Sequence, residues 1–265
     1  MTGREDGAPA SLTTKTLDVL AVFTPQRPRL SLSEISRAAG LSLTTTHRIV
    51  GDLLAWRAIE RGSDGSYQIG LRLFETASLS PRGLPLRELA LPYMEDLYEA
   101  THENVQLAVR EGLEVVYVER ITGRGAVRVL TRVGGRFALH ASGVGLVLLA
   151  HAPDAVQHEV LSGPLHRWTD HTITDPARLR VVLAETRSRG YALSDRQVTA
   201  DATSVACPIL DRDDAVVAAL SVVVHADHGP STAVLLPALR AATRSISRAL
   251  GAPSARARPA TGREG

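Results

Sequence analysis

The 265-residue sequence predicts an α+β protein of two domains, and three observations predict it. Residues 12–74 read as short helices that end in a hairpin signal. From about 84 to 251, strand-like and helix-like stretches alternate. A breaker cluster, Ser80-Pro81-Arg82-Gly83, lies between the two zones. The composition, 44% hydrophobic and 22% charged, excludes wholesale disorder. The single cysteine, Cys207, excludes an intrachain disulfide and a Cys-clustered zinc site, and fits a reducing compartment. No run of about 18 apolar residues exists, and the opening MTGREDGAPAS lacks the apolar core of a secretory signal. No membrane partner and a cytoplasmic location are therefore expected. Residues 1–11 and 252–265, rich in small, polar, Pro and Gly residues, read as flexible tails.

In the first zone Leu12, Thr16, Leu17, Leu20 and Phe23 recur at helical spacing, and Pro25 and Pro28 stop the helix they predict. Ser31 followed by Glu34 is a capping box. It opens a second helix that runs through Ala39, with Gly40 free to take the left-handed C′ conformation. Ser42 is placed to cap a third helix, Leu43 to about Ala55. A short glycine turn crosses two helices steeply and lets the second lie in a major groove. On that third helix Leu43, Thr46, Val50, Leu53 and Leu54 are expected to face inward, and Thr44, Thr45, His47 and Arg48 outward. Short hydroxyls and a long cation suit phosphates and base edges.

Beyond Trp56, expected to pack against a wing, two strand-like runs flank Asp64-Gly65, a strong hairpin signal; Arg61 on it is placed to touch the DNA backbone or minor groove. The DNA-binding candidates are thus Ser42, Thr44, Thr45, His47, Arg48 and Arg61, and the partner is a double-stranded operator. A capped helix pair alone occurs in many helical proteins; the ordered set within about 60 residues is far more specific. Eight basic residues (Lys15, Arg27, Arg29, Arg37, Arg48, Arg57, Arg61, Arg72) face five acidic ones (Asp18, Glu34, Asp52, Glu60, Asp64) in this zone. So mild a surplus implies that affinity comes from several copies of the domain. The runs LDVLAVF, LSEISRAAGLSLTTTHRIVGDLLAWRAIER and DGSYQIGLRLFE resemble the winged helix–turn–helix of the IclR family of bacterial transcription regulators.

In the second zone residues 75–91 are expected as a linker helix, with apolar residues from Leu84 to Tyr98 at helical spacing on both sides of Pro92. Asn104–Ala108 and Glu114–Val118 read as strands joined at Glu111-Gly112, and Val127–Val133 as a third strand turning at Gly134-Gly135. Ala141–Ala150 reads as a buried helix. Thr174-Asp175-Pro176 starts a helix that stops at Gly190. Strands at Tyr191–Ser194, Ser204–Leu210 and Val216–Val224 and a closing helix over about 231–250 complete the zone.

The segments EVVYVERI, RVGGRFALHASGVGLVLLA, HTITDPARLRVVLAETRSRGYALSD and CPILDRDDAVVAALSV also resemble the IclR family, so the resemblance covers about 12–250. It implies a GAF-like domain over 92–251 that binds a small-molecule effector, often a carboxylate or aromatic metabolite, and that forms homodimers pairing into homotetramers. It implies a ligand-controlled transcription regulator, with repressor and activator both left open. No cofactor and no metal are expected. Carried over position by position, it implies effector contacts at Ala126, Val129, Phe137, Gly143, Val144, Asp195 or its neighbour Ser194, Ser204, Ser221 and Val223. Leu146, where many relatives have lysine, and Val223, where some have a hydroxyl, make the pocket less polar. A ligand larger and more apolar than a two- or three-carbon acid is therefore expected. From the residues themselves, Ser142-Gly143-Val144-Gly145 at a helix start offers free amides to an anion.

Cys207 is expected in the core and His140 in a structural hydrogen bond, with pocket-loop orientation as the alternative. Asp195 stays open between a ligand contact and a solvated strand end. His166, His171, His225 and His228 form no metal-binding spacing. Two other functions compete. An enzyme fused to a DNA-binding head would need a nucleophile–base pair, and only Ser142 with His140 is local, without a G-x-S-x-G motif. A winged helix that docks protein would favour outward acids on the third helix, where His47, Arg48 and threonines stand instead.

Overall fold

The computed structural model describes residues 10–80 and 82–256, which form two compact units. The first contains α1 (Leu12–Ala21), α2 (Leu32–Ala39), α3 (Leu43–Ala55), β1 (Ile59–Arg61), β2 (Tyr67–Ile69) and α4 (Leu71–Ala77). Its core is Val19, Leu30, Ile35, Ile49, Val50, Leu53, Ala58, Ile59 and Tyr67. The capping box at α2 closes in both directions. The Ser31 N–H donates to Glu34 Oε2 at 2.8 Å, and the Glu34 N–H donates to Ser31 Oγ at 3.4 Å. Gly40 follows at φ 65°, the left-handed turn that re-aims the chain into α3. β1 and β2 pair antiparallel around Glu60↔Gln68, with Gly65 at φ 82° in the turn, and Leu30 adds a bridge to Tyr67.

Two expectations change here. In α1 the buried residue is Val19, while Leu12 and Leu17 are exposed and the helix ends before Phe23. In α3 Ile49 is buried and Leu43 is 54% exposed. Leu43 is the first helical residue, one turn short of the buried positions Thr46, Ile49, Val50 and Leu53. Trp56 is partly exposed, and Arg72 of α4 lies over its ring at 4.5 Å.

The second unit runs α5 (Leu84–Thr101), β3 (Asn104–Glu111), β4 (Glu114–Ile121), β5 (Arg136–Ala138), α6 (Gly143–Ala150), α7 (Asp154–Ser162), α8 (Pro176–Arg189), β6 (Ala192–Asp195), β7 (Ala202–Leu210), β8 (Val216–His225) and α9 (Thr232–Ala249). The six strands form one antiparallel sheet in the order β5-β4-β3-β8-β7-β6. Period-two alternation splits its residues between two faces. Val105, Leu107, Val109, Val205, Cys207, Leu220, Val222 and Val224 join α5 and α9 in one core. Their neighbours Ala108, Ala206 and Ala219 are small and let α6 and α8 pack close in a second. The same inner face carries Asn104, Gln106, Ser204 and Ser221, which the register sets side by side: Asn104↔Val223↔Ser204 and Gln106↔Ser221↔Ala206. Cys207 is buried, and burial pushes its thiol up to about 12, so it is a protonated packing residue at neutral pH.

The expected third strand over 127–133 is absent. The third strand is β5, and residues 122–135 form an irregular strap outside the ladder, with turns at 124–125 and 133–134 and a bend at 130. The segment instead buries Val127 against Ala202 and Val223, and side chains of β3 and β4 hold it. No single linker helix fills 75–91. α4 ends at Ala77, α5 begins at Leu84, and α5 runs through Pro92 to Thr101. The C-terminal tail begins later than expected: Ala252 and Ala255 are buried, and the Ser254 hydroxyl and amide bond Asp214 at 2.7 and 3.1 Å. Residues 257–265, and 1–9 of the N-terminal tail, lie outside the described residues; Ser11 of that tail caps α1. Helix α7 gave no signal that was read. Among the described residues no helix is long and apolar enough to cross a membrane.

Candidate functional site

The first site is the outer side of α3. Ser42 caps the helix: its Oγ accepts from the Thr45 N–H at 3.3 Å and donates to Thr45 Oγ1 at 2.9 Å, which leaves Thr45 half-buried and engaged. Thr46 turns inward and bonds Ser42 O at 3.0 Å. Thr44, His47 and Arg48 stand exposed, with no side-chain bond among the described residues. At Gly51, one turn on, an added Cβ would meet open space, so a partner's backbone can approach closely. Leu43, expected to face inward, stands exposed at the start of the same helix. Arg61 on β1 lies over the Tyr67 ring at 5.7 Å and stays exposed. Ser31's amide and hydroxyl hold the Glu34 carboxyl below its ordinary range, and Ser66's hydroxyl and amide do the same for Asp64. The acids nearest these turns are thus occupied by the turns themselves.

The second site is a cavity in the C-terminal unit, between the sheet's inner face, the N-terminus of α6 and the strap. It holds about 470 Å³ of space, mouth included. Val129, Leu130 and Thr131 of the strap, Phe137, Val144, Val198, Ala202 and Val223 are joined by Gln106, Tyr117, Ser142, Ser194, Thr199 and Ser204. No lining residue is charged. Tyr117 is buried, and burial pushes its phenol up to about 12, with the Ser142 side chain acting against that rise. It is therefore a neutral phenol at neutral pH, not an anion. Ser142 Oγ accepts from the Gly145 N–H at 3.1 Å, which leaves the Gly143 and Val144 amides, first in α6, beside the cavity. Ser194 Oγ donates to Ala141 O at 2.5 Å and ties β6 to the α6 entry.

Behind Phe137 lies an aromatic group. Trp168 stacks on it at 4.6 Å, and His140 and His166 pack on Trp168. His140 Nε2 bonds His166 O at 3.0 Å, and burial holds its pKa below the ordinary value, so at neutral pH the ring is uncharged and donates. This is the structural bond expected of His140. Because the cluster orients Phe137, it acts on the cavity wall as well.

Of the residues inferred for an effector, Val129, Phe137, Val144, Ser194, Ser204 and Val223 line this cavity. Four do not. Gly143 presents only backbone; a Cβ there would lie 2.6 Å from Ser204 Oγ, so glycine sets the approach of α6 to β7. Ala126 sits on the turn that starts the strap, half-exposed. Asp195 is exposed on an open groove with Arg178 and Gln197, where Thr203 Oγ1 bonds it at 2.6 Å and Arg196 lies 3.6 Å away. Ser221 is fully buried between Gln106 and Ala206, and its Oγ lacks a partner among the described residues. Gln106, Tyr117 and Thr131 line the cavity without having been singled out; the even spacing of Asn104, Gln106 and Ala108 was the available signal. Among the described residues no group of three or more His, Cys, Asp or Glu is arranged to hold a metal.

Residues 13–63 match the IclR helix-turn-helix domain, and residues 80–248 match the bacterial transcriptional regulator IclR C-terminal domain. The chain belongs to the IclR family. It is 30% identical to the HTH-type transcriptional regulator XynR of Escherichia coli over 91% of this chain and 97% of that one. It is 33% identical to the HTH-type transcriptional regulator BhcR of Paracoccus denitrificans, over 83% and 79%. Among solved structures it is similar to an IclR homolog from Microbacterium hydrocarbonoxydans complexed with 4-hydroxybenzoate, with 39% identity, a TM-score of 0.87, and 91% and 99% of the two chains covered. As an IclR-family protein, this chain is a DNA-binding transcriptional regulator with a C-terminal effector-binding domain, and the enzyme and protein-docking alternatives fall away.

Proposed function

We propose that this regulator is a repressor that senses an aromatic carboxylate and releases its operator when the ligand fills the cavity. The observation that carries the reading is the lining: apolar walls with Phe137 on one side, hydroxyl groups on the other, no charged side chain, and the start of α6 alongside. A ring suits the walls, and helix-start amides accept a carboxylate without a buried counter-ion. The 4-hydroxybenzoate in the Microbacterium homolog supports that class. Thr44, His47 and Arg48 read the major groove while Ser42 and Thr45 fix the helix start and Arg61 holds the backbone from the wing. Cytoplasmic action follows from the DNA target.

We also propose that the working unit contains at least two copies. Leu12 and Leu17 of α1 and Leu71 and Phe74 of α4 are left exposed within their own domain, and a second copy of this chain is the occupant that would cover them. The domain's mild positive surplus demands the same, since one head alone neutralises few phosphates.

The test is a gel shift on the protein's own upstream region, titrated with 4-hydroxybenzoate, benzoate and pyruvate, beside calorimetric titration of each. The expected result is a shift that the aromatic acids abolish and pyruvate does not. Tight pyruvate binding with no response to either ring would overturn the ligand class, and a missing shift at low salt would overturn the operator.

A further inference from the structure

The cavity contains no charge, yet the strap that roofs it is the most cationic stretch of its domain. From Arg120 to Arg136 arginine recurs at every fourth residue (Arg120, Arg124, Arg128, Arg132, Arg136), and no acidic residue intervenes. The outer two are engaged. Arg120 bonds Thr131 O and, at 2.9 Å, Thr122 Oγ1, and Arg136 pairs with Glu114 at 3.0 Å. Arg124, Arg128 and Arg132 are exposed, and their side chains have no hydrogen-bond or ion-pair partner among the described residues. Hydrogen bonds and one ion pair within the domain therefore account for two of the five.

The strap's geometry gives the other three a place. Residues 127, 129 and 131 turn inward: Val127 is buried, and Val129 and Thr131 line the cavity. Arg128 and Arg132 are exposed on either side of a bend at Leu130, so both flank the rim residues Val129, Leu130 and Thr131 that lie between them. The strap is pinned from beneath by buried amides of β3. Asn104 Nδ2 donates to Val127 O at 2.8 Å, and Gln106 Nε2 donates to Thr131 Oγ1 at 2.7 Å. The cations are thus held at the mouth and kept out of the pocket.

We propose that Arg128 and Arg132 are a capture device that selects anionic over neutral ligands at the association step, while the uncharged cavity sets shape. This deepens the proposed sensing of an aromatic carboxylate and rests on it for the choice of ligand. A positive rim over a low-dielectric cleft concentrates anions and speeds their entry by about 10- to 1,000-fold, in a way that salt suppresses. Residence, set inside, is left unchanged.

The experiment follows Trp168 fluorescence by stopped flow in a Trp56→Phe background, with 4-hydroxybenzoate and its neutral isostere 4-hydroxybenzamide, from low to high NaCl. Expected is an association rate for the acid that falls steeply with salt. In Arg128→Gln/Arg132→Gln that rate drops about tenfold at low salt and loses most of its salt slope. The dissociation rate and both rates for the amide move less than about twofold. A double variant with the parental slope, or an equal loss for acid and amide, overturns the proposal. If neither ring compound binds, the aromatic reading fails, and the strap is judged by quenching of Trp168, which stacks on the lining residue Phe137. Iodide must then lose about half its quenching relative to neutral acrylamide in the double variant, and an unchanged ratio overturns the strap as well.

Discussion

The two domains place their chemistry on opposite sides of a core. In the N-terminal unit one apolar cluster sits behind α3, and the candidate residues are what is left outside: Thr44, His47 and Arg48. In the C-terminal unit the candidate residues are interior, hydroxyls and amides from β3, β6, β7 and the α6 start that the sheet register brings together. An outward-facing site tolerates loss of a side chain without loss of fold. An inward-facing one shares its packing with the core, so changes there move stability and function together.

The largest expected effect tests that contrast at Gly145. A Cβ there would lie 2.4 Å from Leu139 O and 2.8 Å from Ser142 Oγ. Backbone cannot yield as a long side chain does, so Gly145→Ala is expected to cost the C-terminal domain about 1–3 kcal/mol and to weaken ligand binding with it. Calorimetric melting should show the C-terminal transition falling while that of the N-terminal domain stays. Arg48→Ala is the converse. It should lose about 1–3 kcal/mol of operator affinity, roughly 5- to 150-fold, with melting unmoved beyond about 0.5 kcal/mol. If Arg48→Ala melts early, or binds DNA as the parent does, α3 is not the outward reader described above.

The same contrast explains what the sequence could and could not disclose. The helix–turn–helix was legible because its instructions are local: Ser31 with Glu34, Gly40, Ser42 and Asp64-Gly65 each act within a few residues. The errors there, Leu43 for Ile49 and Leu17 for Val19, concern which side of a short amphipathic helix meets the core, and that depends on the crossing angle with its neighbours. The cavity was legible only through resemblance, which named Phe137, Val144 and Ser204 among the residues that line it. Gln106, Tyr117 and Thr131 come from β3, β4 and the strap, and nothing near any of them in sequence tells that they meet. The strand-like run at 127–133 could not distinguish a ladder strand from a strap, because either can bury part of such a run. What separates them is the fate of the backbone groups, which here go to Asn104 and Arg120.

The smallest effect separates the domains by acidity. Burial depresses His140 below its ordinary 6.5 and Ser31 depresses Glu34 below its ordinary 4.5. Both groups bind more protons unfolded than folded between the two values, so each contributes stability that is present above its ordinary value and lost as pH falls through the folded one. The windows differ. The C-terminal domain begins to lose the His140 contribution just below about 6.5, where the capping box of the N-terminal domain is still intact; the box fades only below about 4.5. Melting scans from pH 7.5 to 4 are expected to show the C-terminal transition dropping first. Subtracting the same scans of His140→Gln isolates the histidine from Glu103, whose carboxyl burial pushes up and which works in the opposite sense. Parallel curves for parent and His140→Gln across pH 7.5 to 5.5 would show that the ring stacked on Trp168 is not held uncharged by its burial.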